Sequence, residues 1–453
     1  MTMNNKRWLL MLLVMVLVVG LLAGCGGGTE EPAPAEPAEP AEPAEPSEPA
    51  AGDVVITVAA GAVGQELELT QAAADMYMDQ NPGVIVNVLD TPDLAQDRLG
   101  LYLQFFEARS AEVDVYQIDV IWPGDLAEHF VDLYDFGAAD VVDQHFPAIV
   151  ENNTVDGKLV AIPWFTDAGL LYYRTDLLEK YNFDPPTTWD ELEEQAAVIQ
   201  EGERAEGNAD FVGFVWQGDS YEGLTCDALE WIASNDGGTI ISPDQVITIN
   251  NPNAIEIIDQ AAGWVGTISP TGVTGFGEED ARAVWQGGNA AFMRNWPYAY
   301  SLGQGADSAV AGNFDVSPLP AGRSGEGAAT LGGWQLAVSR YSNNPEIAAD
   351  VALFMANYDN QKIRAVEGSL NPTIMELYDD PDVLEASPFF GSLYDVFINA
   401  VARPSTATAP NYNAVSTAFF RAVHSVLTGN TDAATAFEEL ELDLQDITGF
   451  DIQ

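Results

Sequence analysis

Four short stretches set aromatic rings beside proline, glycine or asparagine: Trp122-Pro123, Pro163-Trp164-Phe165, Asn295-Trp296-Pro297-Tyr298 and Gly332-Gly333-Trp334. Flat rings at such turns suit an apolar ring face, and neighbouring carboxylates, arginines and asparagines suit a girdle of hydroxyls. Together they describe a site for a saccharide, which has C–H faces and in-plane hydroxyls. Taken singly, each tryptophan is more simply a core residue; several placed where strands end bring binding level with packing. Other chemistries are thinly represented. His129, His145 and His424 lie far apart, with no HExxH or Cys/His cluster, so neither a metal site nor a histidine-activated nucleophile is expected. The pairs Gly287-Gly288 and Gly332-Gly333 are too short to cradle a phosphate, and no cofactor is expected. A glycosidase would need two carboxyl groups facing one bond, one of them held protonated, and nothing singles out such a pair.

The elements that must position these residues begin at Asp53. Val54 to Ala60 reads as a strand, Glu66 to Gln80 as a helix stopped by Asn81-Pro82-Gly83, and Val84 to Leu89 as a second strand. Ala95 to Arg109 is an amphipathic helix, followed by the strand Val113 to Ile118 and a turn at Pro123-Gly124. A second series starts after Ile162-Pro163: the strand Gly169 to Arg174, a capping box at Thr188-Trp189-Asp190-Glu191, and the strand Phe211 to Trp216. Asn251-Pro252 and Asn344-Pro345 each read as an N-cap with proline in the first turn. Alternating strands and helices predict α/β lobes with mainly parallel sheets. Two such series without a linker predict several chain crossings and a shared cleft, a favoured place for ligands.

The 453 residues hold 70 acids and 16 bases, a formal charge of −54, which excludes nonspecific nucleic-acid binding and adsorption to anionic lipid by a basic face. Lys6-Arg7, the apolar run from Trp8 to Val19 and Leu22-Ala23-Gly24-Cys25 read as a secretory signal (1–24) ending in a lipobox; the run is short for a membrane span. An Ala-Glu-Pro-rich leash follows, over 25–52, whose prolines and spaced glutamates favour an extended spacer. Seven acids lie in the leash and two bases in the signal, so the rest keeps 63 acids against 14 bases, a charge of −49. Cys226 is then left without a partner and is expected in the core.

Across the chain from about Asp53, the sequence resembles the extracytoplasmic solute-binding proteins of carbohydrate ABC importers, in particular the trehalose/maltose-binding proteins. The resemblance is carried by Asp167-Ala168-Gly169-Leu170-Leu171-Tyr172-Tyr173-Arg174, Gly213 to Gln217 with Tyr221-Glu222-Gly223-Leu224, Gln286 to Phe292, Arg294-Asn295-Trp296-Pro297-Tyr298-Ala299 and Ala329 to Trp334. It implies a two-lobed periplasmic-binding-protein-like fold of type II, with one lobe over 53–165 plus 315–357, the other over 166–314 plus 358–453, and a hinge. It also implies acylation of Cys25, anchorage on the outer face of the cell membrane, and action as a monomer. The ligand is expected to be a disaccharide such as trehalose or maltose, handed to membrane permease subunits without catalysis. By the same resemblance Glu66, Arg98 and Asp119 are ligand-binding residues of the first lobe, and Asp167 and Trp296 are those of the second. Trp334 is a stacking ring, Gly333 leaves room beside the sugar, and Arg403 reaches the cleft. Phe165 stands where a close relative has tyrosine, and Tyr412 replaces a family tyrosine within a longer segment. The competing readings are a cell-surface glycosidase and a receptor for another neutral solute.

Only three lysines follow the signal, so the surplus carboxylates repel one another unless salt screens them or acid protonates them. The melting temperature at neutral pH is therefore expected to rise by several degrees between low and molar salt. An unchanged value would remove this account of the acidity.

Overall fold

The computed structural model describes residues 52–453. The signal, the lipidation site at Cys25 and nearly all of the leash lie outside them. In chain order the first elements are β1 (Val54–Ala60), α1 (Glu66–Gln80), β2 (Val84–Asp90), α2 (Ala95–Ala108) and β3 (Val115–Asp119). Pro123-Gly124 opens a short helix, Pro123–Leu126, where a turn was expected. After small elements the chain enters β4 (Ile162–Ala168), passes Gly169 and continues as β5 (Leu170–Arg174). Then come α3 (Trp189–Ala205), β6 (Val212–Val215), α4 (Glu222–Ser234), α5 (Pro252–Trp264), β7 (Ala290–Asn295) and β8 (Phe314–Ser317). The last principal elements are β9 (Leu331–Val338), α6 (Pro345–Met355), α7 (Tyr358–Gly368), β10 (Asn371–Pro372), α8 (Tyr412–Leu427) and α9 (Ala433–Thr448). Among the described residues, no helix is long and apolar enough to cross a membrane.

Local chemistry explains the boundaries. Thr188 caps α3 by accepting the N–H of Glu191 at 3.2 Å, while the Glu191 carboxylate accepts the N–H of Thr187 at 2.8 Å, so the reciprocal half of the box sits one residue early. Asn251 accepts the N–H groups of Asn253 and Ala254 ahead of Pro252. Asn344 differs: Pro345 opens α6 as expected, but the asparagine side chain makes no capping hydrogen bond.

The strands form two larger sheets, ordered β10-β4-β9-β3-β1-β2 and β8-β5-β7-β6. The expectation of mainly parallel sheets is corrected. β2 and β3 pair parallel with β1, and β6 with β7, whereas β9, β10, β5 and β8 all join antiparallel. The cause is the crossing of the chain. β1, β3 and β4 run toward the junction of the two sheets, while β9 enters from it and must run the other way.

The strand pairs also move the expected lobe borders. Thr166, Asp167 and Ala168 pair with Gly333, Gly332 and Leu331 in the first sheet, and Asn371 pairs with Thr166 there. Phe314–Ser317 pairs with β5 in the second sheet. α8 lies with the second sheet's helices, where Ser416 shares a 2.7 Å hydrogen bond with Thr225 of α4.

At the first crossing Gly169 is required by close approach. A Cβ there would lie 2.2 Å from the Glu230 carboxylate and 2.7 Å from the Arg294 guanidinium. That pair is buried, with Arg294 Nε donating to Glu230 at 2.8 Å and Nη1 to Gln217 at 3.0 Å. Glu230 also accepts the N–H of Thr330 at the second crossing, at 3.0 Å. A third segment joins there, as Leu331 N–H donates to the Val401 carbonyl and Val401 N–H to the Ala329 carbonyl. Gly169→Ala is expected to lower the unfolding free energy by about 1–3 kcal/mol through overpacking. Gly100→Ala, at an open helical position, should instead gain about 0.5–1 kcal/mol. Denaturant midpoints measure both, and equal effects would refute the crowding argument.

Candidate ligand site

Where the two sheets meet, a small cavity is walled from both sides. From the first sheet come Glu66, the opening residue of α1; Asp119, the last residue of β3; Phe165 and Asp167 on β4; and Gly332, Gly333 and Trp334 at the start of β9. Helix α4 supplies Glu222, Gly223 and Cys226, with Tyr221 just before it, and Trp296 and Tyr298 follow β7. Glu278 opens the helix Glu278–Gln286, and Arg403 comes from the third crossing segment.

Eight of the ten residues expected from the sequence line this cavity: Glu66, Asp119, Phe165, Asp167, Trp296, Gly333, Trp334 and Arg403. Two do not. Arg98 is fully buried against Trp334, its guanidinium carbon 4.2 Å from the ring centroid, with Nε donating to the Pro92 carbonyl at 3.0 Å. Tyr412 is fully buried, and its hydroxyl donates to the Glu222 carboxylate. The placement of Asp167 in the second lobe is also corrected, since it pairs across to Gly332 within the first sheet. Gly333 is constrained by the protein itself: its φ is +114° and a Cβ would stand 2.5 Å from the Phe165 carbonyl oxygen.

Sequence reasoning missed Asp93, Tyr221, Glu222, Glu278 and Tyr298 as lining residues. Tyr221, Glu222 and Tyr298 lay inside recognisable stretches. Asp93 and Glu278 resembled the many solvated acids, and only the fold brings them inward.

The electrostatics are those of a carboxylate-lined cavity with a single lining cation. Arg403 donates to Asp119 at 3.0 Å and to Glu222 at 2.8 Å, and Ser416 also donates to Glu222. Gln96 of α2 accepts the backbone N–H of Glu222 at 2.8 Å, a direct bond between the two sides. Glu66 accepts from Gln117 at 2.8 Å, and Glu278 from the Trp296 indole at 3.3 Å. Burial raises the pKa of Glu66 despite Arg98 and Gln117, and that of Glu222 despite Arg403. It also raises Glu278 and Asp93. Asp167 is pushed well above the usual carboxylate range by burial and by the charge of Glu66, and its Oδ1 has no protein partner. Such groups can accept from hydroxyls when ionised and donate when protonated. Among the described residues, no group of three or more His, Cys, Asp or Glu side chains is arranged to hold a metal ion. A larger, mostly apolar cavity of about 950 Å³ borders Thr166 and Leu331, whose neighbours Asp167 and Gly332 line the carboxylate site; its walls include only Glu151 and Asp156 as acids.

Comparison with known proteins follows from this geometry. Residues 62–362 match the family model described as bacterial extracellular solute-binding protein. A Deinococcus radiodurans protein, described as a probable ABC transporter-binding protein, is 54% identical over 397 residues, covering 87% of this chain and 94% of its own. The maltose-bound MalE3 structure of T. maritima superposes with a TM-score of 0.83 at 41% identity, over 87% of this chain and 99% of that one. The acarbose receptor GacH of Streptomyces glaucescens shares the fold, with a TM-score of 0.78 at 23% identity over 88% and 99% of the two chains. The two-lobed periplasmic-binding-protein-like fold expected from the sequence is thus the observed one.

A carboxyl that holds its proton more tightly when folded contributes stability that is present below the ordinary carboxylate range and is lost as pH rises through the raised value. Replacing Asp167 by Asn removes that contribution. The variant is expected to be more stable relative to wild type as pH rises from about 5 to about 8. Parallel stability curves would show that Asp167 is not proton-linked.

Proposed function

Because the chain belongs to the bacterial extracellular solute-binding protein family, we propose that it is the receptor of an ABC importer, capturing a disaccharide such as trehalose or maltose without chemical change. The observation that carries this reading is the cavity itself, where Trp296, Trp334 and Phe165 meet Glu66, Asp119 and Asp167. Stacking surfaces meet the C–H faces of the sugar rings, and the carboxylates and Arg403 meet the hydroxyls. The sides close around the ligand, with the Gln96–Glu222 bonds forming across them, and they part to release it to the permease. The relatives support the ligand class, since the T. maritima protein holds maltose and the S. glaucescens protein holds acarbose. The lipobox at Cys25 and the extended leash support a receptor tethered to the outer face of the cell membrane beside that permease. Phe165 has no hydroxyl to offer the sugar, so it contributes an apolar face alone and bears on which disaccharide is preferred.

Calorimetric titration with trehalose, maltose, sucrose and glucose is expected to give binding heat with at least one disaccharide. The Trp296→Ala variant should bind it at least about tenfold more weakly, as loss of a desolvated stacking anchor costs about 2 kcal/mol or more. Chromatography of the recovered sugar should return it intact. Absence of heat and of thermal shift with every saccharide would overturn the reading, and cleaved product would replace it with a glycosidase.

A further inference from the structure

Three of the cavity's aromatic rings share an arrangement that neither the fold nor hydroxyl recognition requires. Each has a buried guanidinium laid against it. Arg98 stands 4.2 Å from the Trp334 centroid, Arg294 stands 3.9 Å from Trp296, and Arg364 stands 5.2 Å from Phe165 and 3.8 Å from Trp164. The arginines are at most 2% exposed. Trp334, Trp296 and Phe165 line the cavity and the three arginines do not, so the cations stack on these rings from outside it.

For two of the three arginines the stacking is not incidental to other bonding. Arg294 is well supplied by Glu230 and Gln217. Arg364 has only a 3.4 Å bond from Nη1 to Thr70, and its Nε and Nη2 have no partner. Arg98 likewise leaves Nη1 and Nη2 without partners. A buried cation with unmet donors is costly, so the ring faces and nearby acids must offset that cost. For Arg364 those acids are Glu66 and Asp167, which oppose the burial that lowers its pKa to about 10.

A ring whose quadrupole is engaged by a cation on one face offers a less negative opposite face. That face still packs against C–H groups, but it attracts a second cation less. The cavity carboxylates, Glu66, Asp93, Asp119, Asp167, Glu222 and Glu278, pull in the other direction and would favour an amine-bearing ligand. We propose that Arg98, Arg294 and Arg364 are positioning residues that hold the three ring planes from behind and set the cavity's selectivity for a neutral saccharide over an amine-bearing one. This rests on the receptor reading and deepens it.

The test titrates the full chain at pH 7 with two matched pairs: maltose and trehalose, each beside a counterpart in which a protonated amine replaces one hydroxyl. In Arg364→Gln and Arg98→Gln the neutral-to-amine affinity ratio is expected to fall about tenfold, while Arg364→Lys, which keeps the charge, holds the ratio near that of wild type. A structural role alone would weaken both members of a pair together and leave the ratio unmoved; that result, with binding retained, overturns the inference. Thermal melting checks that each variant is folded, and if Arg364→Gln is not, the ratio in Arg98→Gln decides. Failure of wild type to bind any of the four sugars would instead overturn the receptor reading itself, and the inference with it.

Discussion

One guanidinium joins the two halves of the site. Arg403, on the third crossing segment, reaches Asp119 at the end of a first-sheet strand and Glu222 on a helix beside the second sheet. All three side chains are nearly dry. Taking such charges out of water costs several kcal/mol per ion, and only good geometry with further hydrogen bonds recovers it. Tyr412 and Ser416 supply those bonds to Glu222, which explains why a tyrosine without access to the cavity is held in place beside it. Gln96 meets the N-terminus of α4 only because Glu222 is fixed there.

The same logic repeats one layer away. Arg294 and Glu230 lie beneath the first two crossings; both border the space that Gly169 leaves open, and Glu230 accepts the N–H of Thr330. Each crossing is thereby tied to a buried ion pair instead of to loosely packed loop. The chain's acidity therefore divides into two populations with different physics. Surface carboxylates repel through water and are screened by salt. The buried ones are distributed among four arginines, Arg98, Arg294, Arg364 and Arg403, which is a large share of the 14 bases that follow the signal. A protein this poor in cations has placed several of them where no solvent reaches.

Much of the local structure was legible because local rules decide it. The helix expected over Glu66 to Gln80 is observed with those limits, since apolar spacing begins it and Asn81-Pro82-Gly83 stops it. Asn251-Pro252 behaves as a cap because its partners lie within three residues. What failed depended on distant chain. Strand direction in β9 is set by the side from which the chain returns, so alternation of strands and helices wrongly suggested parallel pairing. Asp167 was placed in the wrong half because the crossing lies two residues later, at Gly169, and no turn residue before it marks the border. Glu278 and Asp93 carry no local mark that separates them from exposed acids.

The crossings also constrain how the site can work. Three segments join the halves within a small region, around Gly169, Thr330 and Val401, and two of them are hydrogen-bonded to each other. Bonds close to such an axis change little when the halves rotate, whereas bonds far from it must break. Arg403 is two residues from Val401, so its pairs with Asp119 and Glu222 lie beside the third crossing. The Gln96–Glu222 bonds link α2 to α4, two elements that belong to different halves. In the proposed receptor, closure would then form and break the Gln96–Glu222 hydrogen bonds and need not rupture the buried pair of Arg294 with Glu230. Such a receptor needs that division: the ion pair at the crossings must survive every cycle, and the closing contacts must be weak enough for the ligand to tip them.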